Sequence, residues 1–290
     1  MRFYMKISQF FPLVLGTLMF LLPNCAGETD TQLYYEEEGE GETIIFVHGL
    51  QEDYRVFLPQ LEALKKSYRV VTYSRRYNHP NRYRYHASHT FNVFTEAEDL
   101  AFLVDELETT SVHLVGHSFG GLIAMAFTNQ HPDKVKSLIL SEPPLLRLPE
   151  CESWHEHLQE ELIEKGKAAH ESGDSTNVMS VIFEFFAGSD IQGQVPPDFL
   201  RSLYANLGEV EALFHSDDPF PDLNTDIEIP SMIITAGNTM PMLECTNKAL
   251  LQRMPEAIHL HLPGVTHDMW MTHPDELSRA VNEFISGNPD

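Results

Sequence analysis

Ser118 stands at the centre of Gly116-His117-Ser118-Phe119-Gly120, a Gly-x-Ser-x-Gly pattern that follows the apolar run Val112-His113-Leu114-Val115 and precedes Leu122, Ile123, Ala124, Met125, Ala126 and Phe127. A strand that ends in this pattern and passes straight into a helix must turn sharply. Gly116 and Gly120 keep Cβ atoms away from crowded backbone, while the seryl hydroxyl is lifted to the top of a sheet. That context separates Ser118 from an idle serine in a glycine-rich turn. The chemistry it suits is acyl transfer through a covalent acyl-enzyme.

Acyl transfer passes through a tetrahedral oxyanion, which needs two preorganised N–H donors and a general base nearby. A second apolar, β-branched run, residues 43–47, stops at His48-Gly49-Leu50. The residue after the nucleophile and the residue after His-Gly supply such donors through their backbones, which assigns Phe119 and Leu50. Gly49 lets the chain come close, and His48 is read as orienting that loop rather than shuttling protons. Near the C-terminus the alternating segment 258–262 leads through Pro263-Gly264-Val265-Thr266 to His267, ahead of Pro274 and an amphipathic helix. His267 therefore falls on a loop between strand and helix, where parallel sheets carry their chemistry, and is the candidate base. Of the 15 histidines, His113, His259 and His261 lie inside strand patterns and read as structural.

In these residues the chain resembles the α/β-hydrolase superfamily, within it the cap-bearing branch of small esterases, enol-lactonases, cofactor-free haloperoxidases and carbon–carbon bond hydrolases. The resemblance spans about residues 33 to 287. It implies the chain order serine, acid, histidine. The aspartate nucleophile of related epoxide hydrolases and haloalkane dehalogenases is absent, which disfavours those activities. The superfamily usually carries its acid in Gly-x-x-Asp after the strand read here at residues 229–237, but this sequence runs Gly237-Asn238-Thr239-Met240. Met240 cannot hold an imidazole N–H. A minority of the superfamily places the acid after the strand that follows the nucleophile helix, where this chain has Glu142. A carboxylate at the end of an apolar strand is costly to bury without a partner, so Glu142 is chosen. Glu244 is the substitute, although a helical reading turns it outward, and Asp268 adjoins His267 too closely to reach its ring. Without either acid, Ser118, His267 and the oxyanion hole would leave a slow hydrolase or a ligand-sensing relative.

The elements that must position these groups follow from hydrophobic period. Strand patterns at residues 43–47, 68–73, 112–115, 135–141, 229–237 and 258–262 alternate with helical ones, which implies a mostly parallel, doubly wound α/β sheet with helices on both faces. Ala97, Leu100, Ala101, Val104 and Leu107 recur at helical spacing, with Thr95 and Glu98 as an expected capping box. From residue 145 to 225 the alternation stops in favour of helical pattern broken at Pro196-Pro197 and around Pro219. That stretch reads as a helical cap, with residues 33–144 and 226–290 as the hydrolase core. Its Phe183, Phe185, Phe186, Phe199, Leu203, Tyr204, Leu207, Leu213 and Phe214 would mostly pack on the core, a few lining a hydrophobic pocket that excludes water from Ser118.

Composition limits the partners. The chain has 290 residues, 42% of them apolar, and a formal charge of −24 from 43 acidic against 19 basic residues. So acidic a surface repels nucleic acid and anionic lipid. Arg75, Arg76, Arg82 and Arg84, set among Tyr73, Tyr77, Tyr83 and Tyr85, read as a solvated, partly stacking loop. No metal spacing is found: His155 and His157 are two apart on a helical pattern and point to different faces. No dinucleotide or phosphate-loop pattern and no repeat is evident, and the reaction needs no cofactor. Arg2 and Lys6 precede an apolar stretch at residues 10–22 and then Pro23-Asn24-Cys25, so residues 1–25 look like an export signal. Cys25 sits at a lipobox-like distance, with Asn24 where a smaller residue is usual; a lipidated, membrane-anchored form and a soluble secreted one both stay open. Residues 26–32, with Glu36, Glu37 and Glu38 beyond, would make a polar tether. Cys151 and Cys245 then remain and could pair in an oxidising compartment. The expected function is a serine hydrolase acting on an ester or lactone of a small to medium apolar substrate. The alternatives are a carbon–carbon hydrolase or perhydrolase on the same residues, or a non-catalytic ligand-binding relative.

Overall fold

The computed structural model describes residues 32–86 and 89–287. The export signal, Cys25 and all but the last residue of the tether lie outside the described residues. The elements, in chain order, are β1 (Tyr35–Glu38), β2 (Thr43–Val47), α1 (Leu58–Leu64), β3 (Arg69–Tyr73), α2 (Val93–Glu106), β4 (Val112–His117), α3 (Phe119–Gln130) and β5 (Val135–Ser141). Then come α4 (Glu152–Leu158), α5 (Lys165–Glu171), α6 (Ser175–Ala187), α7 (Pro197–Ala205), α8 (Leu207–Phe214), β6 (Ser231–Ala236), α9 (Pro241–Arg253), β7 (Ile258–Leu262), α10 (Met269–Thr272) and α11 (Pro274–Gly287). The seven strands form one sheet in the order β1-β3-β2-β4-β5-β6-β7. All neighbours are parallel except the edge pair β1 and β3. The doubly wound α/β class is thus realised.

Strand alternation divides the core in two, because successive side chains leave opposite faces of a sheet. Ile45, Val47, Val71, Leu114, Leu138, Leu140 and Ile233 pack on the face covered by α2, α3 and α9. Ile44, Phe46, Val70, Val115, Ile139, Met232 and Ile234 pack on the other, under α1 and α11. The central strands are buried on both faces, hence their near-continuous apolar runs.

Three local expectations need correction. Glu36, Glu37 and Glu38 are not tether but β1, paired antiparallel with β3, where Glu37 meets Arg69. The helix before β4 is capped by Asn92, whose side chain accepts from Phe94 and Thr95 N–H while Thr95 answers to the Asn92 backbone, so the capping box is Asn92/Thr95 rather than Thr95/Glu98. The Arg-Tyr segment after β3 is only partly solvated. Arg82, Tyr83 and Arg84 are exposed, but Arg75 is 1% exposed and paired with Glu209 and Glu96, and Arg76 grips Asp99 with two nitrogens.

All regular structure between β5 and β6 is helical. Cys151 at its start is joined to Cys245 of α9 by a disulfide. This helical stretch is thereby fastened to α9 near its start.

Candidate active site

The chain leaves β2 toward β3 on one side and, after β4, toward β5 on the other, so the connections part between the carboxyl ends of β2 and β4. In open parallel sheets that divergence makes a crevice for ligands. The two strand ends carry His48 and His117, and Ser118 follows at once.

Ser118 takes φ 53° and ψ −124°, a region costing a residue with a side chain about 1–3 kcal/mol. Its N–H donates to Ser141 O at 2.8 Å and its carbonyl accepts from Gly121 N at 2.8 Å, which hold the turn. A Cβ on Gly116 would stand 2.7 Å from Gly120 O, and one on Gly120 would stand 2.1 Å from Val47 O. Only glycine allows the start of α3 to press against β2 there. The Ser118 side chain does not cap α3; it faces a cavity of about 570 Å3 that His267 also lines. Hydroxyl and imidazole share that wall without a direct hydrogen bond.

His267 lies on the loop between β7 and α10, and its Nδ1 is 2.7 Å from Glu142 Oε2. Glu142 follows β5 with φ 51° and is completely buried. Its Oε1 accepts from Ala236 N at 3.0 Å and Asn247 Nδ2 at 2.9 Å. Its Oε2 also accepts from Thr239 Oγ1 at 2.9 Å. Burial alone would push this carboxyl up, but His267 and the other donors outweigh it and hold it below the ordinary carboxylate range. Glu142 is therefore an ionised acceptor facing His267 Nδ1, which must carry the proton. Met240 instead lines the cavity. Glu244 is exposed on α9, beside a separate shallow pocket. Asp268 is engaged by Thr266 Oγ1.

Phe119 opens α3, so its N–H is one of the groups that a helix start leaves without an intrahelical acceptor. Leu50 lines the cavity with Gly49, and a Cβ on Gly49 would come 3.1 Å from Ser118 Cβ. His48 is fully buried; its Nε2 accepts Arg75 N–H at 3.0 Å, so the proton sits on Nδ1, which faces Gly49 O at 2.9 Å. Burial and the Arg75 charge press its pKa down to about 3. It fixes a loop and stays a neutral ring in the neutral range. His117, the residue before the serine, is likewise kept neutral by burial and by His267, whose ring lies 4.5 Å away.

Several residues escaped sequence reasoning. Glu52 lines the cavity, accepts Gly49 N–H at 2.7 Å and is pushed up to about 7 by burial. Asn247 sits on the apolar side of α9 between Leu243 and Leu250, and Glu209 among Val210, Leu213 and Phe214 of α8. A polar residue at a helix position that the period turns inward was the available signal for both. Most of the rest of the wall is apolar, chiefly Ile182 and Phe183 of α6, Phe199 and Leu203 of α7, and Met242, with Gln51, Asn238, Thr266 and Asp268 as further polar lining. Among the described residues that line it there is no Lys or Arg.

A family described as alpha/beta hydrolase fold matches residues 42–166. A putative carbamate hydrolase RutD of Caulobacter sp. (strain K31) is 26% identical over 267 residues, covering 88% of this chain and 96% of that protein. Among solved structures, a thermophilic esterase from Thermogutta terrifontis superposes with a TM-score of 0.69 at 21% identity, over 87% of this chain and 92% of that one. The enol-lactonase of Burkholderia xenovorans LB400 gives 0.69 at 19%, over 88% and 96%. At such identities the structural agreement speaks to the fold.

Proposed function

We propose that this chain is an α/β-hydrolase, a reading supported by the family match over residues 42–166 and by the relative and solved structures it resembles, and that it is a serine hydrolase cleaving an ester or lactone of a small to medium apolar substrate. The observation that carries the reading is the ionised, four-fold hydrogen-bonded Glu142 at 2.7 Å from His267 Nδ1, on a ring that shares the cavity with Ser118. With Nδ1 protonated, Nε2 is the free base. As substrate enters and the contact between nucleophile and base tightens, His267 takes the Ser118 proton while Oγ adds to the substrate carbonyl. The Phe119 and Leu50 amides hold the oxyanion. The imidazolium, stabilised by Glu142, returns the proton to the departing alkoxide as the ester C–O bond breaks. Water, deprotonated by His267, then attacks the acyl-enzyme and frees the acid and Ser118.

An apolar cavity of about 570 Å3 without a lining cation suits a neutral, largely hydrocarbon acyl group. The Cys151–Cys245 disulfide supports residence in an oxidising compartment after export, with Cys25 as a lipid anchor or the protein secreted. The RutD relative favours a second reading on the same residues, hydrolysis of a carbamate. A panel of p-nitrophenyl acetate, butyrate and octanoate, a γ-lactone, an aryl carbamate and a β-diketone tests both. Ester turnover should exceed carbamate and diketone turnover and fall at least a thousandfold in Ser118→Ala. Turnover that survives Ser118→Ala would overturn the reading.

A further inference from the structure

Leu50 is flanked by two peptide units, and one carboxylate reaches both, beside the His48 Nδ1–H that also faces Gly49 O at 2.9 Å. The Gly49 carbonyl and the Leu50 N–H belong to a single planar group, so whatever fixes Gly49 O also fixes the direction of the Leu50 N–H. Arg75 Nη2 donates to Gly49 O at 2.8 Å, and the same guanidinium nitrogen is held by Glu209 Oε1. The next peptide unit joins the Leu50 carbonyl to Gln51 N–H, which donates to Glu209 Oε2 at 2.8 Å. Glu209 comes from α8 of the helical insertion, 158 residues along the chain from Gln51. Asn206, just ahead of α8, donates to Gln51 O at 2.9 Å and to Asp53 Oδ2 at 3.1 Å. Asn78 Nδ2 bridges Glu209 Oε2 at 2.7 Å and Glu52 O at 2.9 Å.

Gln51 is held at φ 57°, sparsely populated by residues with side chains, so the loop needs these contacts to keep its shape. Glu209 is 0% and Arg75 1% exposed. A buried ion pair contributes little net stability against apolar side chains of similar volume, so fold stability alone is a weak account of this one. A cation on Gly49 O also polarises the peptide and makes the Leu50 N–H a stronger donor. Glu96 reaches Arg75 from the other side at 3.6 Å, and burial pushes it up to about 8. Glu209, hydrogen-bonded to Arg75 Nη2 while Glu96 stands off Nη1 at 3.6 Å, is thus the partner that sets the guanidinium.

We propose that Glu209 is a positioning residue for the oxyanion: through Gln51 N–H directly and through Arg75 on Gly49 O, the helical insertion aims the Leu50 amide. The inference rests on the reading of Leu50 as an oxyanion donor. The insertion then does more than cover the cavity, since the donor geometry depends on its being in place.

The test is Glu209→Gln, whose single amide oxygen cannot serve both Arg75 and the Gln51 and Asn78 donors, with Asn206→Ala as a milder variant should the first fail to fold. Folding is checked by circular dichroism. Three readouts are taken: kcat and KM for p-nitrophenyl butyrate, the inhibition constant of an alkyl trifluoromethyl ketone whose hemiketal oxygen needs the oxyanion donors, and amide exchange of the peptide spanning residues 47–54. Removal of one oxyanion donor typically costs a factor of 10² to 10³ in kcat. Misdirecting it should cost about tenfold to a hundredfold, with KM within threefold, an equal loss of ketone affinity and faster exchange in that peptide. A folded variant that keeps kcat and ketone affinity within twofold, or loses activity only through KM, would overturn the proposal. Should wild-type protein turn over no ester, the proposed function fails; the exchange arm then decides the inference alone, and unchanged exchange overturns it.

Discussion

Glu142→Gln is expected to abolish most activity while leaving the fold intact, and the structure says why an amide cannot stand in for this carboxylate. Glu142 accepts from four donors, Ala236 N–H and Asn247 Nδ2 on one oxygen and Thr239 Oγ1 and His267 Nδ1 on the other. A glutamine has one oxygen for the two sides. The Ala236 N–H belongs to β6 and cannot turn away, whereas the Thr239 hydroxyl can rotate and His267 can change tautomer. The amide oxygen therefore stays with Ala236 and Asn247, and the NH2 faces His267. That forces Nδ1 to accept and leaves the proton on Nε2, where no proton can be taken from Ser118. A wrong tautomer with geometry otherwise intact costs about 10⁴ in kcat, as the serine-protease template shows, or about 5.4 kcal/mol of barrier. The assay is steady-state hydrolysis of p-nitrophenyl butyrate with circular dichroism and thermal unfolding as controls. A folded Glu142→Gln protein within tenfold of wild type would refute the reasoning and reopen Glu244.

Three further outcomes follow from the same structure. Burial displaces the Glu52 carboxyl from 4.5 to about 7, so the neutral acid is favoured in the fold. The stability this lends is fully present below the unfolded value near 4.5 and is lost as pH rises through about 7. Relative to wild type, Glu52→Gln should therefore gain about 3 kcal/mol at pH 8 and little at pH 4.5, read from denaturant unfolding; equal pH slopes in the two proteins would contradict this. The disulfide closes a separation of 94 residues, a loop whose chain entropy is worth about 4.7 kcal/mol. Replacing Cys151 and Cys245 by serine should lower Tm by about 10 °C or more, and an unchanged Tm would remove the disulfide from the account of stability. Gly120→Ala would drive a Cβ to 2.1 Å from Val47 O, which is backbone and cannot yield. It should destabilise by about 3 kcal/mol and distort the Ser118 turn, whereas wild-type unfolding and activity would show the close approach to be unnecessary.

Much of the fold was legible because its signals are local. The near-continuous apolar runs at residues 43–47 and 112–115 mark strands buried on both faces, and the apolar stretch after Gly121 marks a helix packed against them, which leaves little choice of arrangement. Ser118 and His267 were legible from the strand ends that carry them. The reasoning that an unpartnered carboxylate at a strand end is expensive pointed to Glu142, and in the structure it faces His267. The arginines were misread for the opposite reason. Arg75 resembles a solvated charge in a polar, tyrosine-rich segment; only its pairing with Glu209, 134 residues further on, makes its burial tolerable. No periodicity within the segment records such a partner. Glu52 is similar: nothing local reveals the burial that raises its pKa. Asn92 displaced Thr95 as the cap because the helix begins at Val93, four residues before Ala97, its first clear apolar repeat.

The central claim is that Ser118 becomes acylated during turnover. Rapid mixing with p-nitrophenyl butyrate, acid quench within milliseconds and mass spectrometry of the intact chain and its peptides measures this directly. The account predicts a butyryl adduct on the peptide containing Ser118, absent from Ser118→Ala and formed far more slowly in His267→Ala. Steady p-nitrophenol release with no adduct on Ser118, or with an adduct on another residue, would contradict it.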